Sequence, residues 1–221
     1  YTLAGKDYSD TQTSKNELVF IGNNELVRIA YGIDLSKALL ITGVKSGLGK
    51  QTNFTYGTLD DASLYNSTAA AVFPYQNLAR TAVVVSSIRT RVADTVVEAL
   101  DYRYENGILH KRGLGFCGFG KMTATDSIRS QAVTSTFDPY RVGVMTAQES
   151  PVHNTVNEYD VDIAADKITK IQLAQTTQTD KLKGTTIKTT FLYDAWGNTV
   201  QETIDYGGGL KQVNSNGYNN Y

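Results

Sequence analysis

Long apolar runs are missing from this chain. The longest are short patches such as 69–73 and 82–85, far below the ~18 consecutive apolar residues of a membrane-spanning helix, so no span is expected. Cysteine is nearly absent. Cys117 alone excludes an internal disulfide framework and any multi-cysteine metal site. Charge of one sign is missing too: 21 Lys and Arg stand against 22 Asp and Glu, for a formal net charge of −1. The basic residues are scattered, which removes the electrostatic footprint of a nucleic-acid or anionic-membrane binder. Proline is scarce, at three. The chain opens on Tyr1 without a basic segment followed by an apolar one, so it is expected to be a piece of a longer or processed polypeptide.

What is abundant points to strands. Fourteen tyrosines, with many threonines and valines, suit a pleated surface, where β-branched and aromatic side chains pack well. At 221 residues the chain can form one large all-β domain or two small ones, burying about 70% of its unfolded surface. One strand per 8–12 residues would give about 20 short strands.

In chain order, residues 1–16 are polar and are expected to be poorly ordered at their start. Runs 17–21 and 25–31 flank Gly22-Asn23-Asn24 and predict a hairpin. Runs 38–44 and 51–56 flank Lys45 to Lys50 and predict another, with Asn53 and Thr55 opposite in direction to Phe54 and Tyr56. Residues 57–80 predict a helical turn or an exposed loop. Residues 83–91, opening Val-Val-Val, predict a central strand buried on both faces at its start, with 95–104 as its hairpin partner. Runs 132–137, 155–163, 168–177, 185–193, 199–206 and 211–213 predict further strands. Beyond Gly207-Gly208-Gly209 the end is expected to fray.

Several patterns invite a chemical reading. Gly43 to Lys50 suggests a phosphate-cradling loop, but Gly43 is one residue too far from Gly49, Gln51 stands where a Mg²⁺-binding Ser or Thr belongs, and no amphipathic helix follows. Gly113-Leu114-Gly115-Phe116-Cys117-Gly118 satisfies the dinucleotide fingerprint letter for letter, yet a strand pattern at 122–126 follows instead of a helix. Cys117, with His110 and His153 as potential bases, reads better as a small buried hydrophobe than as a nucleophile. Asp60 and Asp61 read as a solvated turn, since Ca²⁺ needs 6–8 convergent oxygens. Glu158, Asp160 and Asp162 share one face of a strand and read as its wet side. No catalytic, cofactor or metal residue is therefore assigned.

The organising stretch runs from Asp101 to Asp126. Two β-rich runs flank a centre, 113–120, in which backbone-bending glycines alternate with large residues that demand burial. Tyr102, Tyr104, Gly113, Gly115, Phe116, Gly118, Phe119 and Asp126 together resemble the Tyr-x-Tyr … Gly-Arg-Gly-Phe-x-Gly-Phe … Asp segment of large secreted bacterial proteins with Rhs or YD repeats, above all the B component of insecticidal Tc toxin complexes and its SpvB-like relatives. Leu114 and Cys117 depart from that pattern. The likeness extends to Gly47-Leu48-Gly49 with Thr52 and Tyr56, to Leu59, Asp61, Tyr65 and Phe73-Pro74, to Val83 through Ser87, and to Pro139-Tyr140 with Gly143. Tyr193-Asp194-x-x-Gly197-Asn198 is similar to the YD-repeat consensus. In physical terms, Asp194 can accept bonds from turn N–H groups, Gly197 supplies positive φ, Asn198 tolerates the left-handed region and Tyr193 anchors its strand to the next repeat.

The resemblance implies an all-β fold with little helix: antiparallel hairpins and a meander in an open, curved sheet, one section of an Rhs/YD-repeat shell. It implies a β-domain over 1–150 and a YD-repeat region over 151–221, which can be continuous with the first as one sheet. The implied role is non-enzymatic and structural, in a secreted or cell-surface bacterial protein whose shell encloses a C-terminal toxin or effector segment. The partners implied are other segments of the same polypeptide, that enclosed segment, and further copies through exposed sheet edges. The other reading is a surface carbohydrate- or protein-binding module with Trp196 as a glycan platform; Trp196 can also serve as an aromatic lid over a neighbouring turn.

Overall fold

β-Branched and aromatic runs set where the backbone pairs laterally, and turn residues set where it reverses. The structure is a computed structural model and describes residues 2–4, 17–22, 25–30, 40–68, 70–163 and 169–218. Three strands, β1 (Thr2–Ala4), β2 (Glu17–Gly22) and β3 (Glu25–Ala30), form an antiparallel sheet in that order. The expected hairpin is β2 and β3, with Gly22 opposite Glu25; Asn23 and Asn24 lie outside the described residues. β1 was not expected, because its surroundings are polar.

The remaining strands are β4 (Gly43–Lys45), β5 (Lys50–Thr58), β6 (Tyr65–Asn66), β7 (Tyr75–Asn77), β8 (Val83–Val92), β9 (Thr95–His110), β10 (Gly115–Asp126) and β11 (Gln131–Asp138). After a single 3-10 turn at Pro139–Arg141 come β12 (Val144–Glu149), β13 (His153–Ile163), β14 (Thr169–Asp180), β15 (Thr185–Tyr193), β16 (Thr199–Asp205) and β17 (Lys211–Ser215). They form one open antiparallel sheet of 14 strands, in the order β17-β16-β15-β14-β13-β12-β11-β10-β9-β8-β5-β4, with β6 and β7 pairing β9 off this path. Strands are longer than the sequence estimate: β9 has 16 residues and β10 has 12. β8 lies between β5 and β9, third from the β4 edge, so the strand expected to be central is interior but not central, and its opening valines are half-buried rather than buried on both faces. Pairing runs on through residue 150, since Gln148 of β12 stands opposite Thr155 of β13.

The chain divides into two units, Tyr1–Asn66 with Ala79–Tyr102, and Ser67–Leu78 with Arg103–Tyr221. In the first, β4 is shorter than the run 38–44: residues 38 and 39 lie outside the described residues, and 40–42 are not strand. There one backbone bond, Phe54 N to Thr42 O at 3.0 Å, continues the pairing, and the Tyr56 hydroxyl donates to Ile41 O at 2.7 Å. The core of this unit sits where an exposed loop or helical turn was expected. Leu59 is 1% exposed, and Leu64 and Tyr65 are also buried. The cause is a tight turn: Asp61 O accepts from Leu64 N (3.0 Å) and Tyr65 N (2.9 Å), while the Asp61 carboxylate holds Ser63 N at 2.8 Å. Gly57 leaves room for it, because a Cβ there would stand 2.7 Å from Leu64 Cδ2. Farther along β8, opposite Thr52, lies buried Thr90, whose hydroxyl is satisfied by Glu98 (2.8 Å) and Thr52 (3.2 Å), as a buried hydroxyl must be.

In the second unit Ile108, Tyr104 and Cys117 are buried, with Ser135. Gly107 passes close under Leu78 and Phe119, where a Cβ would come within 3.0 Å of both. Val144–Glu149 is a further unexpected strand; its sequence is weakly β-forming, and it is drawn into the sheet by β11 on one side and β13 on the other.

Candidate functional site

The glycine-rich stretch is a strand hairpin. β9 ends at His110 and β10 starts at Gly115, with Gly113 (φ 113°) and Gly115 (φ 71°) taking the left-handed backbone of the reversal. No helix starts in this stretch, and β10 continues without interruption to Asp126. Lys50, at the other glycine turn, likewise begins a strand rather than a helix.

Gly118 has the most consequential conformation of the set. At φ 101° it breaks the two-residue alternation of β10, so Phe116 and Phe119, three apart, meet edge to face at 5.3 Å. Phe119 in turn lies 4.7 Å from Tyr104. The expectation that the large residues of this centre demand burial needs correction: Phe116 is 52% and Leu114 58% exposed. The buried member is Cys117, which alternates to the opposite side of the strand from Phe116. Its Sγ contacts Gly115 O at 3.5 Å, while His110 Nδ1 is engaged by Arg112 N at 3.2 Å.

The strand runs hard against the turn after β11. A Cβ on Gly143 (φ 72°) would stand 2.7 Å from Cys117 O, so the two backbones touch with no room for a side chain. Asp138 caps that turn by accepting from Tyr140 N at 3.0 Å, and Tyr75 packs against Tyr140 at 4.8 Å. Asp126, at the far end of β10, accepts from Ile128 N (2.9 Å), Arg129 N (3.1 Å) and Arg129 Nη1 (2.5 Å). The Arg129 guanidinium, with those backbone N–H groups, holds the Asp126 carboxyl below the usual aspartate range.

The second motif is the turn from β15 to β16. Asp194 Oδ1 accepts from Trp196 N (2.9 Å) and Asn198 N (2.8 Å), and Oδ2 from Asn198 Nδ2 (2.9 Å). The Asn198 amide and then the backbone N–H groups of 198, 196 and 197 hold this carboxyl low. The left-handed residue of the turn is Gly197 (φ 90°); Asn198 serves through its side chain. The Tyr193 hydroxyl donates to Leu173 O at 2.9 Å, on the preceding strand β14, and its side chain also meets Thr199, opposite it on the following strand β16. Trp196 is 82% exposed, so it is not a lid on any turn. Beside it Lys170 Nζ donates to Ala195 O at 2.9 Å.

Among the described residues no group of three His, Cys, Asp or Glu side chains could hold a metal ion. Among the described residues, a cavity of about 420 Å³ on the second unit is lined by His153, Gln178, Asp180, Lys183, Thr185 and Ile187; another, of about 310 Å³, is lined by Phe137, Pro139 and Tyr140 beside the Lys121–Glu105 ion pair (2.8 Å). Among the described residues no helix is long and apolar enough to cross a membrane. The Asp126 and Asp194 turns each have a carboxylate that accepts from backbone N–H groups; the positive-φ position is Gly197 in the second and Ser130 (φ 53°) in the first.

The family model described as insecticide toxin TcdB middle/N-terminal region matches residues 22–149. No curated protein matches the chain.

Proposed function

The chain belongs to the family of the insecticide toxin TcdB middle/N-terminal region, and from that premise we propose that it is a non-enzymatic section of wall in a secreted bacterial Rhs/YD-repeat protein, part of a β-shell around a C-terminal toxin or effector segment. The observation that carries this reading is the 14-stranded antiparallel sheet, which stays open at β17 and β4. Open edges present unpaired backbone groups that another strand satisfies, which fits a piece meant to continue into further hairpins of the same polypeptide. The glycine hairpin and the Asp194 turn act as its structural motifs, and its partners are neighbouring segments of its own chain.

The test uses the full parent polypeptide under limited proteolysis. Its C-terminal segment should survive while the wall is intact and be cut at least tenfold faster, about 1.4 kcal/mol in protection, when Gly143→Val disrupts the contact between β10 and the 139–143 turn. Equal cutting in both proteins, with the variant's sheet shown to be disturbed by circular dichroism, refutes the enclosure. The exposed indole of Trp196 supports a second reading, a glycan-binding surface. A glycan array that gives signal with the native chain and none with Trp196→Ala would favour it.

A further inference from the structure

Between β12 and β13 the sheet comes apart. The two strands pair at Ala147–Val156, Gln148–Thr155 and Glu149–Asn154 and, among the described residues, at no later position of β13. On its other side β13 pairs with β14 all the way from His153 to Ile163. Where the ladder stops, Met145 O is capped by side chains: Asn157 Nδ2 donates at 2.9 Å and the Tyr159 hydroxyl at 3.0 Å. β12 itself begins only at Val144 and is paired there with β11. Among the described residues, 158–162 therefore have no backbone partner on the β12 side and form a strand edge in the interior of the strand order, a notch rather than either end of the sheet.

The chemistry along this edge is alternating. Glu158, Asp160 and Asp162 are exposed on one face, and Tyr159 and Val161 lie on the other. Lys170, opposite Asp162 in the register, sends its ammonium to Ala195 O, and Gln175 Nε2 donates to Glu158 at 3.2 Å. A strand laid along the edge would bring every second side chain against the three carboxylates and the intervening ones beside Tyr159 and Val161.

We propose that this edge takes up an extended polypeptide segment in which lysine or arginine alternates with apolar residues. Backbone hydrogen bonds give the attachment, and side-chain alternation gives the selection, as in other strand-addition complexes. Opposite charges facing each other across paired strands stabilise and like charges destabilise, so the carboxylates admit a cationic strand and repel a second copy of the same edge. The inference goes beyond the wall reading and is independent of what the wall encloses.

The test is a titration of the whole chain with a labelled hexapeptide of alternating lysine and valine, followed by fluorescence anisotropy. It should bind about tenfold more tightly than the glutamate–valine counterpart, since three cross-strand charge pairs change sign between them. Asp160→Lys with Asp162→Lys should reverse that preference, and both positions are exposed, so the fold is not at risk from lost burial. Two N-methylated versions of the cationic peptide, with alternate amides blocked, complete the test. One should lose binding about tenfold and the other keep it, because only every second amide of a strand faces its neighbour. Equal binding of both methylated peptides would mean attraction to acidic surface without strand addition. Unchanged binding to the double-lysine chain would place the peptide elsewhere. Self-association that the cationic peptide fails to compete would mean that copies of the chain fill the edge. Each of these three results overturns the proposal.

Discussion

Residues 43–149 and residues 153–215 belong to the same sheet, yet they are held by different means. The first stretch owns every buried side chain among the described residues, from Leu59, Leu64 and Tyr65 through Ile108 to Cys117 and Ser135. In the second, the described side chains are all half-buried or exposed, and cross-strand polar rows take the place of a core. Asn157 accepts from the Thr176 hydroxyl at 3.0 Å, Thr179 and Thr186 share a bond at 3.2 Å, and Asn214 donates to Glu202 at 3.0 Å. Register is strongly specified where a face is buried and weakly where it is not. The later strands thus need directional bonds and stiff turns to stay in register, whereas the earlier ones are fixed by packing.

The largest contrast should come from leucine truncation. Leu59→Ala removes a side chain that is 1% exposed and should cost about 3–5 kcal/mol. Leu192→Ala, on a strand of the later stretch and 57% exposed, should cost no more than about 0.5 kcal/mol. Urea denaturation of both variants measures the difference. Similar losses would mean that the later strands carry a core of their own and that the comparison is wrong.

A smaller contrast is expected at glycine. Gly143→Ala places a methyl 2.7 Å from Cys117 O at φ 72°, and the clash together with the left-handed backbone should cost about 2–4 kcal/mol. Gly184→Ala, at φ 65° but with nothing within 4 Å, carries only the backbone penalty of about 1 kcal/mol. If thermal unfolding shifts equally in the two, the close approach of β10 to the 139–143 turn is not tight.

How far these features could be read from sequence depends on how local their causes are. The Asp194 turn was legible because its bonds run from one residue to others two and four positions on, and β8 because three valines in succession leave few alternatives. Strand β12 was not: Val144-Met145-Thr146-Ala147 forms a strand only because both neighbours pair with it. The core at Leu59, Leu64 and Tyr65 was hidden in a stretch whose Asp60, Asp61 and Ser63 read as solvent-facing loop, since nothing local says that a turn will fold back onto its own sheet. Glycines at 118 and 120 read as turn and lie within a strand, where Gly118 re-aims Phe119. The notch beside β13 depends on where a partner strand stops, and no spacing within 153–163 records that. Glu158, Asp160 and Asp162 could be read as a wet face, but not as an open edge.

Acid should separate the two stretches most gently. Asp180, Asp194 and Asp205 each sit at a turn of the later strands and each has its carboxyl held below the usual aspartate range. The main causes are the Lys183 backbone N–H for Asp180, the Asn198 side-chain amide for Asp194 and the Gly207 backbone N–H for Asp205. A carboxyl depressed in the folded state stabilises it fully above the unfolded-state value and loses that contribution as pH falls through the lower folded-state value. Asp61 and Asp126 of the earlier stretch are depressed in the same direction, but Asp61 sits among buried Leu59, Leu64 and Tyr65, and the strands β8 to β10 carry buried Thr90, Ala99, Tyr104, Ile108 and Cys117 away from the exposed Asp126 turn. Hydrogen exchange measured at neutral pH and again below the aspartate range, corrected for the intrinsic rate, should therefore show protection lost first along β14 to β17 and retained along β8 to β10. Replacing Asp194 by Asn, which keeps an acceptor oxygen without the titrating charge, should flatten the pH dependence of β15 and β16 alone. If β8 to β10 open at the same pH as β14 to β17, packing gives the first stretch no advantage in acid, and the turn carboxylates govern the whole sheet.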